Sequence, residues 1–395
     1  MNKYRGSITA LLGALTLFGV SLNAHAVPSY ARQTGLACAS CHTIFPELTP
    51  FGRSFKLNGY TLTGLKDIQA QPTSSASGVK IGSVAPMAAM LQVNATNENN
   101  SNTYNMPGEF SLFFAGEISP KMGSFLQMTM EQGGNFEMDN ADIRYATHKG
   151  DTVYGVTVNN SPTVQDLWNS TPVWGYPFTG GAGLTQPLVA DGLGQNVMGI
   201  GAYAQLPNGL YAELSVYQPT QDMADPQGGL AGDTARIKET APYARLAWEK
   251  GYENGNTLMV GLYGLQANVY DNAAVPTAGT DKYTDMALDS QYELHLKGGN
   301  LLTLHGAYIS ENRDFTMSAP TGTLNSIRLD GVYHWGSRSE AMLAYANNTG
   351  AADEEAITAQ YSYLPWQNTK LTAQYVHYQK GGGSDTALLQ MWLMW

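Results

Sequence analysis

From about residue 78 onward, apolar and polar residues alternate with a period of two, and turn residues interrupt the alternation at short intervals. In the stretch 209–217, Leu210, Ala212, Leu214 and Val216 share one face, while Tyr211, Glu213, Ser215 and Tyr217 share the other. Met286, Leu288, Tyr292 and Leu294 alternate in the same way with Asp289, Gln291, Glu293 and His295. Ile327, Leu329, Tyr333 and Trp335 alternate with Arg328, Asp330 and His334. The pattern predicts sixteen strands, starting near 79, 109, 122, 140, 152, 196, 209, 240, 256, 284, 300, 325, 339, 355, 369 and 386.

A soluble sandwich would show the same alternation with its apolar face inward, so periodicity alone does not choose between the two folds. The connections do. Short turns (Ser119–Gly123, His148–Asp151, Leu206–Gly209, Lys297–Asn300, Gly336–Ser339) alternate with long segments at 97–108, 160–195, 219–238, 272–282 and 312–324. Outer-membrane barrels have this asymmetry, with short periplasmic turns and long outer loops. Leu389, Met391, Leu393 and Trp395 give the last strand an apolar face that ends on an aromatic residue. The expected fold class is therefore all-β: an antiparallel transmembrane β-barrel of about 16 strands, preceded by a small N-terminal segment. The even count puts both barrel ends on the periplasmic side.

The first 26 residues read as a secretory signal: Lys3 and Arg5, an apolar run from Ile8 to Leu22, and the small-x-small site Ala24-His25-Ala26. The run is too short for a membrane span. The expected organisation is signal peptide 1–26, plug 27–77 and barrel 78–395. Mean hydropathy is −0.23, which excludes a helical multispan protein. The formal net charge of −11 argues against a nucleic-acid partner.

The chain has two cysteines, and both lie in Cys38-Ala39-Ser40-Cys41-His42. This C-x-x-C-H spacing is the c-type haem attachment signature. Two thiols three positions apart form thioethers to the vinyl groups of one haem, and the adjacent His42 reaches the iron as proximal ligand. A redox disulfide would leave His42 unexplained, and a zinc site would lack its second Cys/His pair. Between Val27 and Pro86 there is no methionine, and no histidine besides His42, so a distal ligand would come from later in the chain. Strand parity points to Met90, if Lys80, Gln92 and Asn94 face the lumen. His148, His295, His305 and His334 rank below it.

Charge is distributed by side. The short turns carry Lys121, Lys149, Lys250, Lys297, Arg338 and Lys370. The long loops carry Glu98, Glu137, Asp166, Asp222, Asp225, Asp233, Asp281, Asp314 and the run Asp353-Glu354-Glu355. Ordinary loop solubility explains such a pattern, and so does an outer face that attracts cations. Residues 27–66 carry Arg32, Arg53, Lys56 and Lys66 against Glu47 alone, a basic plug suited to an acidic lumen and to haem propionates. The 160–195 loop, with Trp168, Trp174, Tyr176 and Phe178, is expected to fold inward over the mouth.

The stretch Pro28–Tyr60 resembles the fused monohaem cytochrome–porins of the bacterial outer membrane, including the iron oxidases of Fe(II)-oxidising bacteria. The resemblance is carried by Ala31-Arg32-Gln33-Thr34-Gly35 before the haem motif and by Pro46, Leu48-Thr49-Pro50-Phe51-Gly52-Arg53 and Phe55-Lys56 after it. It implies one covalent haem c held by Cys38, Cys41 and His42 in a plug inside the barrel. Arg32, Gln33, Thr34, Arg53 and Lys56 are then candidates for packing or, for Arg32, Arg53 and Lys56, propionate contact. It also implies electrons entering from extracellular Fe(II) or another surface donor and leaving to a periplasmic cytochrome c, an Fe(II):cytochrome c oxidoreductase-like transfer. Outward electron transfer to external acceptors, a haem-stapled solute porin and a soluble periplasmic haem protein are the alternatives.

Overall fold

The computed structural model describes residues 28–43, 45–63, 86–131, 134–162, 166–171, 184–190, 192–220, 236–270, 279–315, 321–381 and 383–395. The expected signal peptide, the 77/78 boundary, and Trp174, Tyr176 and Phe178 lie outside these residues.

Three short helices come first: α1 (Pro28–Thr34), α2 (Cys38–Cys41) and α3 (Pro50–Leu57). Sixteen long strands follow: β1 (Met87–Glu98), β2 (Ser101–Ser119), β3 (Met122–Glu131), β4 (Glu137–Lys149), β5 (Thr152–Asn159), β6 (Val197–Gln205), β7 (Leu210–Pro219), β8 (Ala241–Gly251), β9 (Thr257–Tyr270), β10 (Thr280–His295), β11 (Leu301–Asp314), β12 (Gly322–Trp335), β13 (Ser339–Gly350), β14 (Glu354–Trp366), β15 (Thr369–Lys380) and β16 (Thr386–Met394). A two-residue segment, Ile237–Lys238, pairs with the end of β9 beyond β8. Every strand pairs antiparallel with its neighbour in sequence, and β1 pairs with β16, so the sheet closes on itself.

The alternation is apolar outside and polar inside. Leu214 is 70% exposed, while its neighbours Glu213 and Ser215 are buried. Met286 and Leu288 face out, and Asp285, Asp289, Gln291 and Glu293 face the lumen. Among the described residues no helix is long and apolar enough to cross a membrane, and the strands form a closed wall in which each pairs its backbone with a neighbour on both sides.

The first strand is described from Met87 onward, and its expected start near 79 lies outside the described residues. One expectation about this wall is corrected. Segment 97–108 is not a long loop: β1 and β2 run through it and join at Asn99-Asn100. Both asparagines have positive φ (50° and 62°), the backbone of a two-residue hairpin whose twist matches its strands.

The helices sit inside the wall, at the end with the short turns. Thr49 caps α3 by accepting from the Gly52 amide, and Pro50 follows at the first helical position. The plug is tied to the wall around its circumference. On one side the Tyr30 hydroxyl donates to the Ser124 carbonyl at 2.6 Å, and Gln33 Nε2 to the Ala115 carbonyl at 2.8 Å. On others Tyr203 donates to the Leu57 carbonyl at 2.7 Å, and Lys370 Nζ to the Phe45 carbonyl at 3.1 Å.

The described part of the segment after β5 folds into the lumen, reaching past the mouth to the plug, with Trp168 buried against Leu57, Tyr203, Tyr211 and Met259. Further along, Leu188, Val189 and Leu193 pack on Tyr217, Tyr243, Tyr263 and Ile309. Wall carboxylates hold this segment by its backbone: the Leu188 amide donates to Glu311 at 2.5 Å, and the Val189 amide to Asp285 at 2.6 Å. Asp166 is therefore not an outer-face charge; it is buried 3.7 Å from Arg245. Lys370 is likewise no surface turn residue. It is 2% exposed and faces inward beside Glu340.

Candidate haem site at the short-turn end

Cys38, Cys41 and His42 line one cavity of about 380 Å³, within the ~300–1,000 Å³ typical of cofactor sites. The plug contributes Tyr30, Leu36, Phe45, Leu48, Phe55 and Tyr60 to its walls. The barrel contributes Met90, Phe113, Phe125, Trp392 and Met394. Polar residues lie along β2, β3 and β4 toward the long-loop end: Glu109, Gln127, Asp139 and Asn140.

Local chain geometry explains why the motif residues gather here. The turn between α2 and α3 is stitched by the Thr49 amide on the Cys41 carbonyl at 3.0 Å and by Thr49 Oγ1 on the Ser40 carbonyl at 2.7 Å. Gly52 lets α3 lie directly on α2: a Cβ there would sit 2.1 Å from the Cys41 carbonyl oxygen. Gly59 (φ 68°) and Tyr60 (φ 56°) then reverse the chain, stack Tyr60 on Tyr30 at 5.7 Å and let Tyr60 donate to Asp142 at 2.6 Å.

The donor set fits a c-type haem. His42 Nδ1 lies 3.1 Å from the Glu47 carbonyl oxygen. A carbonyl only accepts, so Nδ1 carries the proton and Nε2 keeps its lone pair for a metal, the usual arrangement around a ligating imidazole. Burial holds His42 below its ordinary pKa, against the pull of the Glu47 and Pro46 carbonyls. Burial and the neighbouring Cys38 push the Cys41 thiol up to about 11, unlike the activated thiolate of a redox-active pair. Among the described residues no group of three or more His, Cys, Asp or Glu side chains is placed to hold a metal ion by itself.

The three basic candidates separate. Lys56 lines the cavity, and burial, reinforced by Arg144, lowers its pKa to about 8 against Asp142, Asp166 and Glu213. Arg53 does not line it. It points to the barrel wall, where Nη1 and Nη2 grip Glu293 at 3.0 and 3.1 Å and Nε lies 2.9 Å from Glu249. Burial works against its charge, and Glu249 and Glu293 outweigh that. Arg32 is exposed and donates to the Met87 carbonyl. Arg32 and Arg53 are thus plug fasteners, and so is Gln33; Thr34 lines the cavity.

Of the distal candidates, Met90 is 2% exposed and lines the cavity. The histidines do not. His148 bonds Asn58 at 2.6 Å, and His305 sits between Asp330 at 2.8 Å and Gln291 at 3.0 Å. His334 lies 3.5 Å from Glu47, and His295 is exposed near the 251–256 turn. Sequence reasoning missed Met394. The shared face of Leu389, Met391, Leu393 and Trp395 already placed Met394 on the opposite, inward face.

No family model and no curated protein matches the chain. Solved outer-membrane proteins do. A loop-deleted OmpT of Vibrio cholerae is 12% identical over 78% of this chain and 98% of its own, with a TM-score of 0.52. Salmonella typhi OmpF, solved as a complex with daunomycin, is 11% identical over 78% of this chain and 97% of its own, with a TM-score of 0.53. At such identities the likeness carries the fold alone, and with the closed sixteen-strand wall it makes this chain a β-barrel of the porin fold with a small helical segment inside it.

Proposed function

We propose that the protein is an outer-membrane electron conduit that takes electrons from extracellular Fe(II) and passes them to a periplasmic cytochrome c through one covalently held haem c. One observation carries this reading: both cysteines and His42 line one largely apolar cavity inside a barrel whose lumen also holds the plug and the described inward residues after β5. Cys38 and Cys41 would hold the group by thioethers, His42 Nε2 would ligate the iron, and Lys56 would face a propionate. When bound, the group supplies a one-electron ferric/ferrous couple. The short-turn end, where the plug sits, is the periplasmic end by the rule for such barrels. Fe(II) would approach from the other end, where Glu98, Glu137, Asp314 and Asp353 are exposed. Each Fe(II) would pass one electron to the bound group in the lumen and leave as Fe(III), so the metal stays outside the cell.

The test is anaerobic stopped-flow mixing of oxidised holoprotein with Fe(II), following the ferrous haem bands. Rapid reduction is expected. Protein that dithionite reduces and Fe(II) does not would overturn the choice of donor and favour outward transfer.

The porin fold itself favours a second reading, a haem-stapled solute pore. The plug and the inward segment leave little room for one. In planar bilayers the holoprotein is expected to conduct far less than an open porin of equal strand number. Large, steady conductance with sugar permeation would instead support solute transport.

A further inference from the structure

The cavity has an unusual sulfur content for its position. Met90 on β1 and Met394 on β16 are direct cross-strand partners in the seam that closes the barrel. Both are buried, at 2% and 4% exposure, and both line the cavity that holds Cys38, Cys41 and His42. They share an apolar patch with Phe45, Phe113 and Trp392. Gln92 Nε2 approaches Met90 Sδ at 3.9 Å, and the same amide donates to Glu109 at 2.7 Å while its oxygen accepts from Gln390. That chain of amides fixes the Met90 side of the seam. Strand pairing fixes the Met394 side.

Other cavity groups with lone pairs are committed or hard. Tyr30 and Tyr60 donate to Ser124 and Asp142, and Asp139 accepts from Thr129 and Gln195. Lys56 belongs to α3, on the same side of the cavity as the cysteines. A soft thioether is a common sixth ligand of c-type haem and raises its potential. Methionine's flexible side chain lets either of two neighbouring sulfurs reach one point.

We infer that the distal side of the haem cavity is a two-sulfur site, in which Met90 and Met394 are interchangeable sixth ligands presented across the barrel seam. The inference rests on the proposed covalent haem, and it adds a ligand pair and a redundancy that the sequence motif does not contain. Redundancy has a specific signature. Removing one sulfur leaves thioether ligation in place with an altered potential, and removing both abolishes it.

The test uses full-length holoprotein in detergent and three variants: Met90→Leu, Met394→Leu and the pair together. Leucine keeps volume and apolarity, so the core packing is little disturbed. Readouts are the weak near-infrared band of ferric iron–thioether ligation, the spin state, and the rate of imidazole binding. The native protein and both single variants are expected to keep the band with slow imidazole binding. The double variant is expected to lose it, become high-spin and bind imidazole at least tenfold faster.

A double variant that keeps the band overturns the proposal. A single variant that loses it entirely overturns the redundancy. Uniform selenomethionine substitution in the native protein provides a second measurement that does not depend on the variants folding; the band is expected to shift, and an unmoved band counts against thioether ligation. Haem staining on denaturing gels separates the two levels. If the native chain carries no covalent haem, the proposed function falls. If it carries haem and the spectra ignore both methionines, only the two-sulfur site falls.

Discussion

Replacing Arg53 with leucine is expected to loosen the docked plug by about 3–5 kcal/mol, because it leaves buried Glu293 and half-buried Glu249 without their shared cation. Glu293 is 2% exposed, so water compensates little of the loss. The guanidinium also donates to the Leu48 carbonyl at 2.8 Å, so the turn next to the haem motif loses a fastening as well. A released plug exposes the Lys56–Leu57 bond, and Leu57 is buried when docked. Trypsin cleavage there should accelerate by roughly 10² to 4 × 10³-fold, the population change that this energy implies. Adding Glu293→Gln should recover part of the loss, since breaking a buried pair from one side costs more than neutralising both partners. A variant as resistant as the native protein would refute the fastening.

The second large effect is expected at Gly52. Alanine in a helix interior ordinarily gains about 1 kcal/mol over glycine. Here the new Cβ would lie 2.1 Å from the Cys41 carbonyl oxygen and 3.1 Å from the Cys41 Cα, both backbone atoms that no side-chain rotation relieves. The clash costs about 3 kcal/mol or more and outweighs the helical gain. It would separate α2 from α3 and move Cys41 and His42 out of register with the cavity. The expected outcome is a barrel that still folds, by its heat-dependent gel mobility, but carries less than a tenth of the native covalent haem. Native haem content in Gly52→Ala would show that the two helices need not touch.

Much of the architecture is legible in the sequence because a membrane wall obeys one rule along its whole length. Alternation around Tyr211–Tyr217 and Asp285–Glu293 gives the right residues to lumen and lipid, since no strand can bury its polar face in lipid. The placement of Cys38, Cys41 and His42 together on a cavity follows from their adjacency. What the sequence hides is long-range or exceptional. Asn99-Asn100 lies in a polar stretch that reads as a loop, and only its left-handed backbone makes it a hairpin. Arg53 reads as a free cation until β10 brings Glu293 across 240 positions of sequence. Asp166 and Lys370 read as surface charges because turns are nearby, yet both turn inward to buried partners. Met394 was within reach of the parity argument, but an inward methionine on the last strand has no motif to announce it.

The ring of plug-to-wall bonds also has a mechanical consequence. An empty barrel is a thin hoop that can flatten into an ellipse at little cost. Here the plug acts as a set of spokes, meeting β3 at Ser124, β6 at Tyr203, β10 at Glu293 and β15 at Lys370. Cutting one spoke lets the hoop sag and redistributes load onto the others. Substitutions on nearly opposite sides of the lumen, such as Tyr203→Phe on β6 and Lys370→Met on β15, should therefore fail to add in their effects on stability, although separated sites with no shared partner ordinarily do add.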